Sequence, residues 1–146
     1  HSLIAKQLDY YQILAEDKTI DIELTGSGKI LGDPLLIARV ISNLLSNALR
    51  YTPTGKTIRI TLNDTPAGVQ LTFANPGETI APEHLSRLFD RFYRADSARH
   101  EGTPNNAGLG LAIAAAIVKA HSGSIWCTSA DGLTCFHLAF PAIGEV

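Results

Sequence analysis

The chain lacks most features that would commit it to a special environment. Two cysteines in 146 residues are too few for a disulfide framework. No apolar stretch approaches the length that spans a bilayer, and nothing at the start reads as a signal peptide. Lys and Arg number 12 against 14 Asp and Glu, a net charge of −2, and the basic residues are scattered, so there is no footprint for a polyanion such as nucleic acid. There is no internal repeat and no low-complexity tract. His84, His100, His121 and His137 lack metal-ligand spacing with one another and read as structural or surface residues. What is present, 45% apolar and 18% charged residues, is the composition of a soluble globular protein. The length is one domain's worth, enough to bury a core without disulfide or metal staples.

Cys127 and Cys135 flank the turn signal Ala130-Asp131-Gly132 symmetrically, which raises the question of a cross-strand disulfide. Alternation argues against it. Cys127 shares a strand face with Ile125, whereas Cys135 is out of step with Phe136, Leu138 and Phe140, so the two sulfurs fall on opposite faces of a period-2 hairpin. Two reduced thiols are expected.

Hydrophobic periodicity divides the chain into alternating elements. Leu3, Ile4, Leu8, Tyr11 and Leu14 or Ala15 give a helix over Ser2 to Asp17, and Lys18 to Leu24 then alternates as a half-buried strand. Gly26-Ser27-Gly28 is a turn and Lys29-Ile30-Leu31 a short strand. Asp33-Pro34 supplies an N-cap followed by proline at the first helical position, and Thr52-Pro53-Thr54-Gly55 ends that helix. Thr57 to Leu62 and Val69 to Phe73 read as a hairpin, Ala81-Pro82-Glu83 opens a short helix through Phe89, and Leu109 to His121 is a strongly apolar helix. Ile125 to Ser129 and Thr134 to Phe140 form a last hairpin. Between Arg94 and Ala107 no periodicity exists, and a stretch so polar is expected to be a mobile, functional loop. Mixed strands and helices with antiparallel hairpins argue an α+β two-layer sandwich with helices on one face of the sheet.

The segment Asn43-Leu44-Leu45-Ser46-Asn47-Ala48-Leu49-Arg50-Tyr51-Thr52-Pro53 sets two asparagines four residues apart on the Asp33 helix. At 3.6 residues per turn Arg39, Asn43, Asn47 and Arg50 share one stripe, with Ile37, Val40, Ile41, Leu44 and Ala48 on the adjoining one. The second stripe is core and the first is a candidate site. Carboxamide oxygens are hard, neutral ligands suited to Mg²⁺, which takes one or two protein oxygens together with waters and substrate phosphates.

Three further motifs follow in order. Phe73-Ala74-Asn75-Pro76-Gly77-Glu78-Thr79-Ile80 stands at the end of a strand. Leu88-Phe89-Asp90-Arg91-Phe92-Tyr93-Arg94 pairs aromatic core anchors, Phe89 and Phe92, with arginines of the right sign for a phosphate. Asn106-Ala107-Gly108-Leu109-Gly110-Leu111-Ala112-Ile113 runs from loop into helix, where glycines expose N–H groups at a helix N-terminus that favours an anion.

With the double-asparagine helix, these resemble the N, G1, F and G2 boxes of the sensor histidine kinase catalytic domain, a member of the GHKL ATPase superfamily. The resemblance covers Leu8 to Phe140. The words Asn75-Pro76-Gly77, Ile80-Ala81-Pro82-Glu83-His84-Leu85 and Leu88 to Arg94 look most like the heavy-metal (copper/silver) sensor subgroup. The resemblance implies a Bergerat/GHKL fold over residues 1–146 as one catalytic ATP-binding domain. Residues 1–17 would include the end of a linker helix from a dimerisation domain. It implies ATP and Mg²⁺, with Asn47 holding the metal, Asn43 beside the phosphates, Arg50 contacting them and Tyr51 lining the pocket. Asn75 would read adenine and Gly77 allow close approach to the base. Gly108 and Gly110 would shape the phosphate loop, and Ile80, Arg94 and Leu109 complete the nucleotide contacts.

Two departures mark the G1 box, where the family has Asp-x-Gly-x-Gly. Asn75 replaces the carboxylate and Thr79 the second glycine, and a neutral acceptor makes a weaker bond to the adenine amino group. In the G2 box Asn105 and Asn106 stand for a glycine pair. The implied activity is transfer of the γ-phosphoryl group to a histidine of the dimerisation domain, in a homodimeric kinase with a response regulator as partner. The implied location is the cytoplasmic side of a bacterial inner membrane. His1 lacks the acidic neighbour and Leu-Arg/Lys-Thr-Pro-Leu continuation of the family's phosphorylated histidine, so no acceptor is assigned. The alternatives are a degenerate nucleotide-binding pseudokinase, an anti-sigma-type serine kinase, and a gyrase- or chaperone-type ATPase. The last needs a glutamate base where Asn43 stands, and asparagine accepts no proton at neutral pH.

Overall fold

A computed structural model describes residues 1–90 and 110–142. Helix α1 (Ser2–Asp17) buries Ile4, Leu8, Tyr11 and Ala15, the i, i+4, i+7, i+11 stripe of an amphipathic helix. Its Gln7 Nε2 donates to Ala38 O at 2.7 Å and its Tyr11 hydroxyl meets Ser42 Oγ, which docks it along α2 (Pro34–Tyr51). Strand β1 (Asp21–Gly26) begins three residues later than the alternation from Lys18 suggests. Thr19 is left-handed (φ 52°) and the N–H groups of Lys18, Thr19 and Ile20 turn back to Ala15 O and Glu16 O, so these residues close α1 instead of pairing.

The expected short strand at Lys29-Ile30-Leu31 is absent. Only Ile30 packs on the core while Leu31 is 83% exposed, so the three-residue alternation reflects one anchor in an irregular connection.

Asp33 caps α2 by accepting from Leu35 N at 2.9 Å and Leu36 N at 3.4 Å, with Pro34 following at the first helical position. Asp33→Ala is expected to lower unfolding stability by about 1 kcal/mol, measured by urea denaturation, because two helix N–H groups lose their acceptor. The helix ends at Thr52, whose extended ψ of 126° is what a following proline enforces.

The hairpin β2 (Thr57–Thr65) and β3 (Gly68–Pro76) is longer than periodicity indicates. Pairing continues through Asn63↔Gln70 and Asp64↔Val69, because exposed polar side chains do not interrupt backbone bonding. After the short helix α3 (Pro82–Leu85) the chain continues to Asp90 in turns rather than as helix to Phe89. Helix α4 (Gly110–Ala120) leads into β4 (Ser124–Ala130) and β5 (Leu133–Pro141). Their two-residue turn, Asp131 and Gly132, has positive φ at both positions (52° and 77°), the geometry whose twist matches a hairpin.

The sheet order is β1-β2-β3-β5-β4, parallel only between β1 and β2. Ile58, Ile60, Leu71, Phe73, Phe136 and Leu138 point from one face into the core under α1, α2 and α4. This is the two-layer α/β sandwich expected.

The other face carries Arg59 paired with Glu23 at 3.0 Å, and a Trp126–His137 stack with centroids 5.3 Å apart. Burial lowers the His137 pKa from its ordinary value. Cys127 opposes Phe136 and Cys135 opposes Thr128, so the two free thiols lie on opposite faces as the alternation requires. Burial first, then the neighbouring Cys135, pushes the Cys127 thiol up to about 12, which makes it a poor nucleophile.

Candidate nucleotide site

Four elements converge at one end of the sandwich: the C-terminal half of α2, the end of β3, the β4–β5 turn and the start of α4. On α2 the core stripe is buried, with Val40, Ile41, Leu44 and Leu45 at 2% exposure or less. The adjoining stripe behaves differently. Arg39 and Arg50 are exposed, and Asn43 and Asn47 half-buried. Asn43 Nδ2 donates to Gly110 O at 3.0 Å and so ties α2 to the first turn of α4, leaving its Oδ1 as an acceptor. One turn on, the Asn47 carboxamide makes no hydrogen bond among the described residues.

Tyr51, 41% exposed, ends α2. Its carbonyl lies so near Gly77 that a Cβ there would stand 3.1 Å from it. The glycine therefore admits the backbone of α2 itself.

At this end the inward-facing row of the sheet changes from apolar to polar. Phe73, Phe136 and Cys127 form the last apolar row; two residues further, Asn75 opposes Thr134 on β5, which opposes Ser129 on β4. Asn75 and Thr134 are each 4% exposed. Buried polar side chains require partners. Ser129 Oγ and Thr134 Oγ1 are 3.0 Å apart, and Ser129 Oγ also accepts from Ile80 N at 2.8 Å. Asn75 Nδ2 makes a long contact to Pro76 O at 3.4 Å, while nothing among the described residues donates to its Oδ1. Thr134 and Ser129 were not singled out from sequence. The available signal is a threonine on the apolar phase of Thr134, Phe136, Leu138 and Phe140.

The structure thus brings Asn43, Asn47, Tyr51, Asn75, Gly77, Ile80 and Gly110 to one region, with Arg50 on the exposed stripe beside it. Phe89 anchors its segment on the core by an edge-to-face contact with Phe136, centroids 6.1 Å apart, as an anchor should. Arg91, Phe92, Arg94, Gly108, Leu109 and the expected loop from Arg94 to Ala107 lie outside the described residues.

A cavity of about 390 Å³ at the opposite end of the sheet, lined by Ile4, Ile30, Ile37, Val69 and Phe140, has few polar groups and is not this site. No group of three His, Cys, Asp or Glu side chains able to hold a metal exists among the described residues. Asn47, half-buried with no hydrogen bond from its carboxamide among the described residues, has an oxygen of the kind that could hold a divalent cation.

Known proteins resemble this chain over most of its length. The chain is 46% identical over 140 residues to the sensor histidine kinase CusS of Escherichia coli strain K12, covering 95% of this chain and 29% of that protein. It is 50% identical over 107 residues to the sensor protein CopS of Pseudomonas syringae pv. tomato, covering 73% of this chain and 22% of that protein. These are the relatives the words from Asn75 to Arg94 suggested. The chain therefore spans less than a third of the length of either. A mycobacterial sensor histidine kinase, MprB, superposes with a TM-score of 0.85 at 29% identity, over 96% of this chain and 93% of that one. Residues 32–143 match the family described as histidine kinase-, DNA gyrase B- and HSP90-like ATPases, and the chain belongs to that family.

Proposed function

We propose that this chain is the ATP-binding catalytic domain of a sensor histidine kinase, which transfers the γ-phosphoryl group of ATP to a histidine on a separate dimerisation domain of the same kinase. The observation that carries this reading is the pair on α2: Asn43 tethered to Gly110 O, and Asn47 one turn on, half-buried, with no hydrogen bond from its carboxamide among the described residues. In this reading Asn75 Oδ1 accepts from the adenine amino group at the end of β3. Gly77, Ile80 and Tyr51 wall the base, and Asn43 and Arg50 face the phosphates. By the resemblance, Gly108, Leu109 and Gly110 would shape the phosphate loop and Arg94 would contact the nucleotide; of these only Gly110 lies among the described residues. Asn47 would hold Mg²⁺, which when bound neutralises phosphate charge. The protein's contribution to transfer is positioning and electrostatic stabilisation, since loose phosphoryl-transfer transition states need little covalent help.

A neutral side chain at position 43 favours transfer over hydrolysis, because no carboxylate stands there to activate water. The resemblance also supports a response regulator as the next acceptor, a homodimeric kinase, and a place on the cytoplasmic side of a membrane. No helix among the described residues is long and apolar enough to cross a membrane.

The test is nucleotide binding by calorimetry with and without Mg²⁺, in the parent chain and Asn75→Asp. ATP is expected to bind with Mg²⁺-enhanced affinity and GTP poorly. The carboxylate variant should bind ATP about fivefold more tightly, since a charge-assisted hydrogen bond is roughly twice as strong as a neutral one. The same variant should melt earlier without nucleotide, because position 75 is buried and an ionised side chain there loses solvation. Equal ATP affinities in the two proteins would remove Asn75 from the site.

A further inference from the structure

We propose that Thr79 is a positioning residue for adenine recognition, acting through a hydroxyl clamp on the β4–β5 turn. The inference rests on the nucleotide reading above and deepens it. Gly132 occupies the second position of a two-residue hairpin turn, flanked by the paired residues Ala130 and Leu133. In such a turn the flanking pair closes the ladder, and the N–H and C=O of the turn residues are left pointing away from it. Both groups of Gly132 are used by the segment that follows Asn75. Gly132 O accepts from Gly77 N at 2.8 Å, and Gly132 N donates to Thr79 Oγ1 at 2.9 Å.

The two bonds grip the segment at residues 77 and 79. Any sequence can make the first, which is backbone to backbone. The second needs a side-chain oxygen at position 79. Glycine, the residue of the Asp-x-Gly-x-Gly pattern there, has none. Immediately beyond, Ile80 N is held by Ser129 Oγ, itself paired with Thr134, the residue opposite Asn75 on β5. Asn75, Thr134, Ser129, Ile80, Thr79, Gly132 and Gly77 thus form a closed circuit of backbone and hydroxyl contacts around the segment presenting the base-reading groups.

Thr79 is exposed and contributes nothing to the core, so its hydroxyl orders the segment without being needed for folding. The two departures of this motif therefore act in opposite directions: Asn75 weakens the bond to the base, and Thr79 reduces the disorder that binding must remove.

The test compares the 146-residue chain with Thr79→Val, which keeps β-branching and volume but loses the acceptor, and Thr79→Ser, which keeps the oxygen. Dissociation constants for ATP and for inorganic tripolyphosphate with Mg²⁺ are measured by displacement of a fluorescent ATP analogue, alongside thermal unfolding. Thr79→Val is expected to weaken ATP binding about fivefold, the loss of one ordinary hydrogen bond. Thr79→Ser should remain near the parent value. Tripolyphosphate, which has no base, should bind all three alike, and the melting temperature of Thr79→Val should fall by no more than the few degrees that one exposed hydrogen bond is worth. Unchanged ATP affinity in Thr79→Val overturns the inference, as does parallel loss of ATP and tripolyphosphate, which would mean general loosening of the site. Absence of ATP binding by the parent chain would remove the nucleotide reading itself, an outcome distinct from either.

Discussion

Asn47→Ala is expected to remove the Mg²⁺-dependent part of ATP binding, a loss of about 100-fold in affinity with metal present, while leaving the fold intact. Loss of an outer partner of a metal ligand costs roughly 10–100-fold, and loss of the ligand itself should reach the upper part of that range. The structural cost is small because Asn47 is half-buried with no hydrogen bond among the described residues, and alanine is the better helix former by some tenths of a kcal/mol. The measurement is ATP affinity in Mg²⁺ and in EDTA, with urea denaturation to check stability. Asn63→Ala is the control, an exposed residue on β2 opposite Gln70 and remote from the α2 stripe. A variant that retains the full ratio between the two conditions would exclude Asn47 as the ligand, and an equal loss in Asn63→Ala would show that the effect is not local.

The stripe that carries Asn47 is legible in the sequence because α2 carries its own punctuation. Asp33 and Pro34 start it, Pro53 stops it, and the intervening apolar residues repeat with helical period, so the phase of Asn43 and Asn47 relative to the core is fixed by sequence alone. The same holds for the β4–β5 hairpin, where Asp131-Gly132 sets the register and hence the opposite facing of Cys127 and Cys135. Signals failed where the backbone of an adjoining element, not the side-chain pattern, decided the outcome. Lys18 to Ile20 alternates as a strand would, yet the open carbonyls of α1 claim its N–H groups. Asn63 and Asp64 look like a loop, yet β3 pairs with them regardless.

The polar row Asn75, Thr134, Ser129 was hidden for a related reason. Its members are 59 and 5 positions apart in the chain and become neighbours only through the β3–β5 and β4–β5 registers. A threonine or serine in a strand carries no local mark of what will face it. Asn75 is legible because it sits in a motif, whereas nothing near Thr79 in the sequence marks Gly132, whose N–H its hydroxyl accepts.

The second large effect concerns what the chain does alone. Incubated with γ-labelled ATP and Mg²⁺, it is expected to bind nucleotide, hydrolyse little and remain unlabelled. Asn43 stands where a hydrolase of this fold needs a carboxylate, and no histidine in the sequence has the surroundings of a phosphoacceptor. Adding the helical-bundle domain with the acceptor histidine from the same kinase should place label on the bundle. The yield should be low, because a separate bundle meets the catalytic domain at its bulk concentration, whereas a tether supplies an effective concentration in the millimolar range. Physical linkage of the two domains should therefore raise the rate by orders of magnitude at micromolar protein without altering any contact in the nucleotide site. Acid treatment identifies the acceptor, since phosphohistidine is lost in acid and hydroxyl phosphoesters are not. Acid-stable label on the isolated chain would assign a hydroxyl acceptor and a serine-kinase chemistry. An unlabelled bundle beside demonstrable ATP binding would assign a nucleotide-binding module without transfer, in which the Asn43–Gly110 tether and the Thr79 clamp serve to hold the ligand alone.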